Sequence, residues 1–232
     1  MSGLGFIPSE FRLVQGGGTL ETIFLCDDAL VPPIIPNGSL FLAKANGSIE
    51  DFLQLFVIFD DSFRNIKVNF VLLALGANDI TKKEKQLNFN IKTQTLDFHN
   101  ERKRSNRLVS QSFNTLCETL AELHCAKQIV SFDVMSRESS GYHNAAVEYV
   151  NSRVVRADDC HKHLNSWKIF QRDHRRKKTG KNENFPIMAE RFDVDGTVTG
   201  ELRQFLVDVA LLALESDEES LAIGGMYVRR KF

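Results

Sequence analysis

The chain has little of what marks several special classes of protein. With five prolines and fourteen glycines in 232 residues, it is neither collagen-like nor of low complexity. The N-terminus lacks a basic segment followed by an apolar stretch, and no apolar run approaches the roughly 18 residues of a membrane span. We therefore expect an intracellular, cytoplasmic protein without membrane contact, with association with ribonucleoprotein particles as one option.

Cysteine is also scarce. The four cysteines show neither Cys-x-x-Cys pairing nor the ligand spacing of a zinc site, so we predict reduced thiols at Cys26, Cys117, Cys125 and Cys160. Cys160-His161-Lys162-His163 has the residue types of a metal cluster. No second set of ligands stands at a suitable distance along the chain, so we expect loop residues here, no metal and no cofactor.

The composition is that of a globular protein. Hydrophobic residues make up 43 % and charged residues 25 % of the chain, and the length suits a single domain over residues 1–232. Most of the 18 phenylalanines should lie in its core. The net charge of −1 conceals an uneven distribution. Residues 153–181 hold ten Lys or Arg against three Asp, so the remainder is net acidic.

Strand and helix patterns alternate along the chain. We predict strands over residues 11–15, 39–45, 68–75 and 128–134, and helices over 19–30, 48–59, 102–124, 145–155 and 199–214. Residues 81–100 are polar and predicted as a loop. The unbroken apolar run 68–75 is typical of a parallel strand buried on both faces. This pattern predicts an α/β fold, a three-layer α/β/α sandwich around a parallel sheet, with functional loops at the carboxyl ends of the strands.

Several of these loops carry an ordered set of motifs. Gly76-Ala77-Asn78-Asp79 follows the third predicted strand, Gly47 follows the second, and Asp195 precedes the last helix. The set resembles the SGNH/GDSL hydrolase superfamily, which has a flavodoxin-like fold. The resemblance implies that Gly47 matches the glycine of the family's second block, that Asn78 matches the oxyanion-hole side chain and that Asp195 matches the base-orienting carboxylate.

Two blocks depart from the family pattern. Gly16-Gly17-Gly18 stands where the family has Gly-Asp-Ser, so Gly18 fills the nucleophile position. Val198 fills the position of the histidine base. Acyl transfer needs a hydroxyl nucleophile and a base, so the resemblance implies a pseudoenzyme with no catalytic residues. It is similar in kind to the OSK domain of Oskar, which lacks these residues and binds RNA, and to retrotransposon-encoded SGNH-like esterase domains.

Two other registers for the first block are weaker. Cys26-Asp27-Asp28-Ala29-Leu30 resembles a degenerate Gly-Asp-Ser-x-Leu and would put Asp28 at the serine position. It leaves too little chain before Gly47 for a helix plus a strand. Asn37-Gly38-Ser39-Leu40 has a serine, but at the start of the second strand. We therefore favour Gly16–Gly18 as a strand-to-helix turn, with Thr19 as the helix N-cap, over a phosphate-binding loop.

The basic region, predicted as an insertion or loop over residues 156–190, is the candidate nucleic-acid-binding segment. Lysine and arginine neutralise phosphates, and interleaved aromatic rings stack on unpaired bases. We predict that RNA or other single-stranded nucleic acid contacts Arg153, Arg156, Lys162, Trp167, Lys168, Arg172, Arg175, Arg176, Lys177, Lys178 and Lys181. A solvated surface loop and a basic targeting patch remain alternatives. Arg102-Lys103-Arg104 and Arg229-Arg230-Lys231 would extend the surface if they share its face.

Two further functions compete with nucleic-acid binding. One is a protein–protein scaffold that docks partners through a phenylalanine-rich surface or the acidic segment around Glu218. The other is a diverged esterase that uses Thr19 as nucleophile, with His161 or His163 as base.

Overall fold

The computed structural model describes residues 7–93, 98–132, 134, 141–151, 153, 161–164 and 199–215. Within these ranges the strands are β1 (Phe11–Gln15), β2 (Thr22–Asp27), β3 (Ser39–Lys44), β4 (Val68–Ala74), β5 (Ala126–Phe132) and β6 (His161–Leu164). The helices are α1 (Ile49–Ile58), α2 (Asp60–Arg64), α3 (Ala77–Thr93), α4 (Phe98–Leu123), α5 (Gly141–Asn151) and α6 (Gly200–Glu215). A short 3-10 turn, Asp28–Leu30, follows β2.

The strands form one mixed sheet in the order β1-β3-β2-β4-β5-β6. Every neighbouring pair is parallel except β1 and β3, which run antiparallel with Phe11 opposite Lys44. The predicted α/β class is confirmed. The predicted parallel sheet is found for β2 to β6, but β1 runs antiparallel, because the chain turns back at the glycines after β1 and places that strand at the edge.

Helices cover both faces of the sheet. Ile23 and Leu25 of β2 pack in a core with α1, α2, α4 and α5, whereas Phe24 and Cys26 pack in a second core against α6. β2 is therefore buried on both faces, as central parallel strands are. The helix predicted over residues 19–30 is wrong. A short apolar run of this kind does not by itself distinguish a buried strand from a buried helix.

The other eight predicted elements are confirmed, with shifts of a few residues at some of their ends. β3 and β4 begin at the predicted residues, α6 spans the predicted final helix, and α4 begins four residues before its predicted start. The inner face of α4 carries Val109, Phe113, Leu116 and Leu120, all buried. Leu108, next to Val109 in the chain, is 45 % exposed, so it lies outside the core.

Three further elements were not predicted from the sequence: the short helix α2, α3 and β6. α3 occupies residues predicted as a loop, and its Ile80 is buried in the larger core. β6 lies inside the predicted basic insertion and pairs with β5 in parallel, with His161 opposite Ile129. The rest of that insertion lies outside the described residues. In the described part of the chain, no helix is both long and apolar enough to cross a membrane.

Candidate functional site

The loops after β2, β3 and β4 meet at one edge of the sheet. Asp27 ends β2, Gly47 lies three residues beyond β3, and Asn78 lies in the first turn of α3, just after β4. The buried Asn78 side chain joins them, because its Nδ2 donates to Asp27 Oδ2 and, at 2.9 Å, to the carbonyl oxygen of Gly47. One amide thus connects three loops at the carboxyl edge, where open α/β sheets bind their ligands.

Gly76 allows the chain to enter this loop. Its φ of +105° is a conformation that glycine adopts without strain. A Cβ atom there would lie 2.8 Å from Cγ2 of Val134. The Asn151 side chain fixes the backbone of Val134. Its Oδ1 accepts from the Val134 N–H at 2.7 Å, and its Nδ2 donates to the Val134 carbonyl at 3.3 Å. The glycine of the Gly-x-Asn-Asp motif is therefore required both by the turn and by close packing on the segment after β5.

Asp27 and Asp28 have different partners. Asp27 caps the 3-10 turn by accepting a hydrogen bond from the Ala29 N–H at 3.1 Å, in addition to its bond from Asn78. Asp28 forms an ion pair of 3.1 Å with Arg12 of β1. Both members of that pair are substantially exposed, so its contribution to stability is small. Asp27 organises the loop, and Asp28 faces solvent beside the edge strand.

The N-terminus of α1 carries a second polar network. Ser48 is the N-cap of this helix, and its N–H and hydroxyl donate to Asp51 Oδ2 at 2.7 and 2.5 Å. Lys44 Nζ lies 2.9 Å from the other oxygen of Asp51. Burial raises the pKa of Asp51, but the hydrogen bonds from Ser48 and Lys44 outweigh it, so the pKa lies below its usual value. Asp51 is therefore ionised at neutral pH.

Asp79, in the first turn of α3, contacts the same helix terminus. Its two carboxylate oxygens accept from the Ile49 N–H at 3.3 and 3.1 Å. Burial raises the pKa of Asp79 to about 6, although the Ile49 N–H and the charge of Lys82 oppose the rise. The two carboxyl groups at this helix terminus therefore differ in their protonation. Asp51 stays charged, and Asp79 exchanges its proton close to neutral pH.

Among the described side chains that meet at Asn78, neither the hydroxyl of Ser48 nor the thiol of Cys26 is an activated nucleophile. The Ser48 hydroxyl is committed to Asp51. The Cys26 thiol is fully buried on the α6 side, and burial, followed by the charges of Asp27 and Asp28, raises its pKa far above the normal range. A thiol acts as a nucleophile only as thiolate. These described groups supply hydrogen bonds and one carboxyl that titrates near neutrality, but no activated nucleophile.

A buried histidine adjoins the edge and was not singled out by the sequence. His143 of α5 lies against α3, with Nδ1 3.4 Å from Oγ1 of Thr81. Thr81 is one helical turn beyond Asn78. No motif around His143 distinguishes it in the sequence, and only the packing of α5 on α3 brings it here.

The structure separates the predicted site residues into two groups. Gly47 and Asn78 come together as predicted. Gly18 does not join them, because the glycine turn lies at the amino edge of the sheet, where the Gly38 N–H donates to the Gly17 carbonyl at 2.6 Å. Asp195 and Val198 lie outside the described residues. The β2 loop beside Asn78 is instead the Cys26–Leu30 segment, the register that the sequence analysis ranked lower.

The Cys26–Leu30 register had been disfavoured because a helix was expected between the first two parallel strands. The connection from β2 to β3 contains only the 3-10 turn Asp28–Leu30 followed by a proline-rich loop. The short connection is therefore compatible with the register, and Asp27 and Asp28 are the site residues that the preferred register missed.

Few of the predicted nucleic-acid-binding residues are described. Arg153 is exposed just beyond α5, with its guanidinium carbon 5.2 Å from the centre of the Tyr149 ring. Lys162 lies in β6, where its backbone pairs with Val130. The remaining predicted residues lie outside the described ranges: Arg156, Trp167, Lys168, Arg172, Arg175, Arg176, Lys177, Lys178 and Lys181. On α4, the exposed side chains of Lys103, Arg104 and Arg107 form a second basic group, which we call the α4 basic face.

Comparison with known proteins gives no family. No protein-family model matches the chain, and no curated protein shows significant similarity to it. In the described ranges, no cluster of three or more His, Cys, Asp or Glu side chains is placed to hold a metal ion. The function must therefore be inferred from the chain's own residues and geometry.

Proposed function

We propose that the chain is a non-catalytic domain of the SGNH/GDSL hydrolase type that binds RNA or other single-stranded nucleic acid through a basic surface. One observation carries the proposal. Positive charge is concentrated in residues 153–181, with ten Lys or Arg against three Asp, in a chain whose remainder is net acidic. Such local excess is the electrostatic footprint of a phosphate-binding surface.

The strand order supports the scaffold. Counted along the chain from β2, the five parallel strands lie in the order 2-1-3-4-5, which is the flavodoxin-like order. If β2 is counted as the first strand of such a fold, the loops that carry the first three motifs of the hydrolase family are the Cys26–Leu30 segment, the loop of Gly47 and the Gly76–Asp79 motif. Asp28 then stands at the nucleophile position. A carboxylate paired with Arg12 replaces the serine of an active hydrolase.

The charge at this edge argues against hydrolase chemistry. An oxyanion hole needs hydrogen-bond donors that remain available for the negative charge that develops on the substrate. The Asn78 amide already donates to Asp27 and to the Gly47 carbonyl. Asp27 and Asp28 would also repel an oxyanion formed beside them. The same groups that order the loops therefore disfavour the transition state of acyl transfer.

The described basic side chains are compatible with a larger binding surface. Arg153 is exposed at the start of the basic segment, and its position over Tyr149 leaves the guanidinium at the surface. Lys103, Arg104 and Arg107 of the α4 basic face are exposed, and among the described residues only Arg104 has a carboxylate within 4 Å, that of Glu101 at 3.8 Å. Trp167 and Phe170, in the basic segment, supply rings for stacking on unpaired bases.

Fluorescence anisotropy of a labelled single-stranded RNA, titrated with protein over a salt series, tests the proposal. We expect micromolar or tighter binding that weakens steeply with salt. In Arg175→Gln/Arg176→Gln, the slope of log K against log salt should become shallower by about 1.4, since each phosphate contact to a single strand contributes about 0.7. The variant Lys103→Gln/Arg104→Gln tests in the same way whether the α4 basic face contacts RNA, because a contact there would also make the slope shallower.

Lys67→Gln/Lys127→Gln is the matched control. Both lysines are exposed at the amino edge of the sheet, and the variant removes the same charge. Its slope should match that of the wild type. Equal losses in all three variants would indicate a non-specific charge effect and would contradict a defined surface, as would unchanged low-salt affinity after charge reversal of Arg175, Arg176, Lys177 and Lys178.

A protein-docking scaffold is the second candidate, and one observation favours it. Val57 and Ile58, adjacent at the end of α1, are 76 % and 69 % exposed. The phenylalanine-rich surface expected for such a scaffold is absent from the described residues, because the large exposed hydrophobic side chains there are aliphatic. A single stoichiometric protein partner, recovered after nuclease treatment and lost in Val57→Ser/Ile58→Ser, would favour this candidate over RNA binding.

The position of Thr19 argues against an esterase that uses its hydroxyl. Thr19 lies at the amino edge, with its carbonyl beside Gly38, whereas Asn78 lies at the carboxyl edge. The length of β2 separates them by roughly 17 Å at about 3.3 Å per residue. Activity on short-chain p-nitrophenyl esters should stay at baseline in the wild type and in Thr19→Ala.

A further inference from the structure

Strand β1 forms one edge of the sheet among the described residues and runs antiparallel to β3. Just beyond it, the Gly16 N–H donates to the Ser39 carbonyl at 2.9 Å. Opposite residues of an antiparallel pair alternate between hydrogen-bonded and non-hydrogen-bonded positions, so every second residue back from Gly16 bonds β3. The backbone N–H and C=O groups of Leu13 and Gln15 therefore point away from the sheet.

The outward side of β1 is open over a short stretch. The Phe11 N–H, which also points outward, donates to the Pro8 carbonyl at 2.9 Å. Among the described residues, none pairs with Leu13 or Gln15 on that side. Both residues are exposed, Leu13 to 42 %. The open edge thus consists of the backbone groups of Leu13 and Gln15 and the Phe11 carbonyl.

Strand β1 lacks the features that keep many edge strands from pairing with another strand, such as a proline, a bulge or an unpaired charge. Its five residues pair with β3 in unbroken register, and none of them is proline. Its one charged side chain, that of Arg12, forms an ion pair of 3.1 Å with Asp28. An edge strand of this kind is a template for a further strand.

We propose that β1 pairs with β1 of a second copy of this chain, antiparallel about a two-fold axis that passes beside Leu13. Leu13 of each copy donates to and accepts from Leu13 of the other, and the Gln15 N–H donates to the Phe11 carbonyl of the other copy. The Phe11 N–H is not needed for this pairing, because it already donates to Pro8. The sheets of the two copies join into one continuous sheet.

The side chains of β1 suit this pairing. The exposed Leu13 side chain packs on Leu13 of the second copy, and each covers the other. Arg12 lies opposite Val14 of the second copy. Centring the axis on Arg12 would instead place two like charges directly opposite each other, which is unfavourable. A two-fold contact uses the same surface in both copies and leaves no open β1 edge for further chains.

Sedimentation velocity of the whole chain after nuclease treatment, over a range of concentrations, tests the proposal. We expect a reversible equilibrium between monomer and dimer. Leu13→Lys sets two ammonium groups opposite each other at the axis and should weaken the dimer by about tenfold or more. Leu108→Lys is the matched control, because it makes the same change at a leucine of α4 that is 45 % exposed. It should dimerise as the wild type does.

Leu13→Pro tests the backbone bonds themselves. Proline has no N–H, and the Leu13 N–H points away from β3. The variant should therefore stay folded by circular dichroism and sediment as a monomer. Val14→Pro removes a bond to β3 and should destabilise the fold instead. Unfolding of Leu13→Pro together with a stable Val14→Pro would reverse the assignment of the outward groups and overturn the proposal.

Amide exchange followed by NMR locates the contact. The N–H groups of Leu13 and Gln15 should exchange slowly only at concentrations at which the dimer forms. Three results would overturn the proposal: a monomer at every concentration, undiminished dimerisation in Leu13→Lys, or protection of these two amides in the monomer, since another part of the same chain would then cover the edge.

Salt separates this contact from nucleic-acid binding. The contact contains no ion pair between the copies, so dimerisation should change little over a salt series in which RNA binding weakens steeply. Failure of RNA binding would leave the dimer unaffected, so the two proposals are tested separately.

Discussion

The amino and carboxyl edges of the central sheet are held together by different chemistry. At the amino edge, backbone groups bond one another: the Gly16 N–H donates to the Ser39 carbonyl at 2.9 Å, and the Gly38 N–H donates to Gly17 at 2.6 Å. At the carboxyl edge, side chains make the connections. Asn78 links Asp27 to Gly47, and Asp79 reaches the Ile49 N–H.

The two kinds of network should fail in different ways. Backbone groups packed through glycines leave no room for added atoms, and they carry no charge that changes with pH. Side-chain networks with carboxylates depend on the protonation of each member. We therefore expect added side-chain volume to destabilise the amino edge and changes of charge to destabilise the carboxyl edge. The carboxyl edge is also where sheets of this kind bind ligands.

Gly16→Ala tests the volume sensitivity of the amino edge. A Cβ at Gly16 would lie 2.0 Å from the carbonyl oxygen of Pro36, so backbone must move to admit it. We expect a loss of about 3 kcal/mol in the free energy of unfolding, measured by denaturant titration. The loss should be the same at pH 5 and pH 8.

Gly17→Ala is the matched control for that variant. Its Cβ would meet only the Asn37 side chain, at 3.2 Å, and that side chain can rotate away. We expect little loss of stability. If the two variants were equally destabilised, the cost would come from glycine's backbone freedom rather than from close packing, and the comparison between the edges would be wrong.

Asn78→Asp tests the charge sensitivity of the carboxyl edge. The change preserves shape but removes the donors to Asp27 and Gly47 and sets two carboxylates side by side. We expect a loss of about 2 to 3 kcal/mol at pH 8, since buried acceptors lose their partner. The loss should shrink as the pH falls, because one shared proton restores a donor between the carboxyl groups.

Asn65→Asp makes the same chemical change at an exposed asparagine, whose Nδ2 donates to the Asp61 carbonyl at 2.8 Å. Its effect should be small and should vary little between pH 5 and pH 8. A pH-independent loss in Asn78→Asp would instead mean that shape, and not charge, governs the carboxyl edge.

Asp79→Asn should stabilise the protein at neutral pH. Because burial raises the pKa of Asp79 to about 6 in the folded protein, against about 3.9 for an unperturbed aspartate, the folded state binds the proton more tightly. This group's contribution therefore lowers the free energy of unfolding as the pH rises from about 4 to 6, and the full cost applies above 6. An asparagine can still accept from the Ile49 N–H without that cost.

We expect a gain of about 1 to 2 kcal/mol in Asp79→Asn at pH 7.5 that vanishes near pH 4. Unfolding curves of both proteins at several pH values give this difference directly. Asp51 does not affect this difference between the two proteins. Because its pKa is lowered, its contribution to the free energy of unfolding is lost only at more acidic pH. A destabilised variant at pH 7.5 would show that the charge of Asp79 supports α1 rather than opposing folding.

Local signals predicted the elements that depend on local physics. Ser48 with Asp51 three residues later is a capping box, and α1 begins where it indicates. The unbroken apolar run of β4 predicted a central strand, and the periodic apolar face of α4 predicted a long helix. In each case the signal lies within one or two turns, or one strand, of the element that it specifies.

The missed elements depend on distant partners. β2 has an apolar run that suits a helix or a strand, and only its pairing with β3 and β4 makes it a strand. α3 is too polar to be recognised from its sequence, and its packing against α4 and α5 stabilises it. β6 is four residues long and is defined by its pairing with β5.

The residues of the candidate site likewise fall into those that local sequence patterns predict and those that only the strand pairing brings together. Gly47 and the Gly76–Asp79 motif could be identified from the sequence because each follows a strand that the local pattern predicts. The sequence placed Gly18 beside them because it took β1 for the first parallel strand. Pairing geometry placed β1 antiparallel at the edge and brought Asp27 to Asn78 instead.

By itself the sequence determined the α/β class, the capped and amphipathic helices, the central strand β4 and the uneven distribution of charge, because these follow from the order of residues along the chain. Only the tertiary structure decided which loop faces Asn78 and which carboxyl is buried enough to titrate near pH 6. Those properties depend on strand pairing and on which side chains exclude water, and residues distant in the sequence set both.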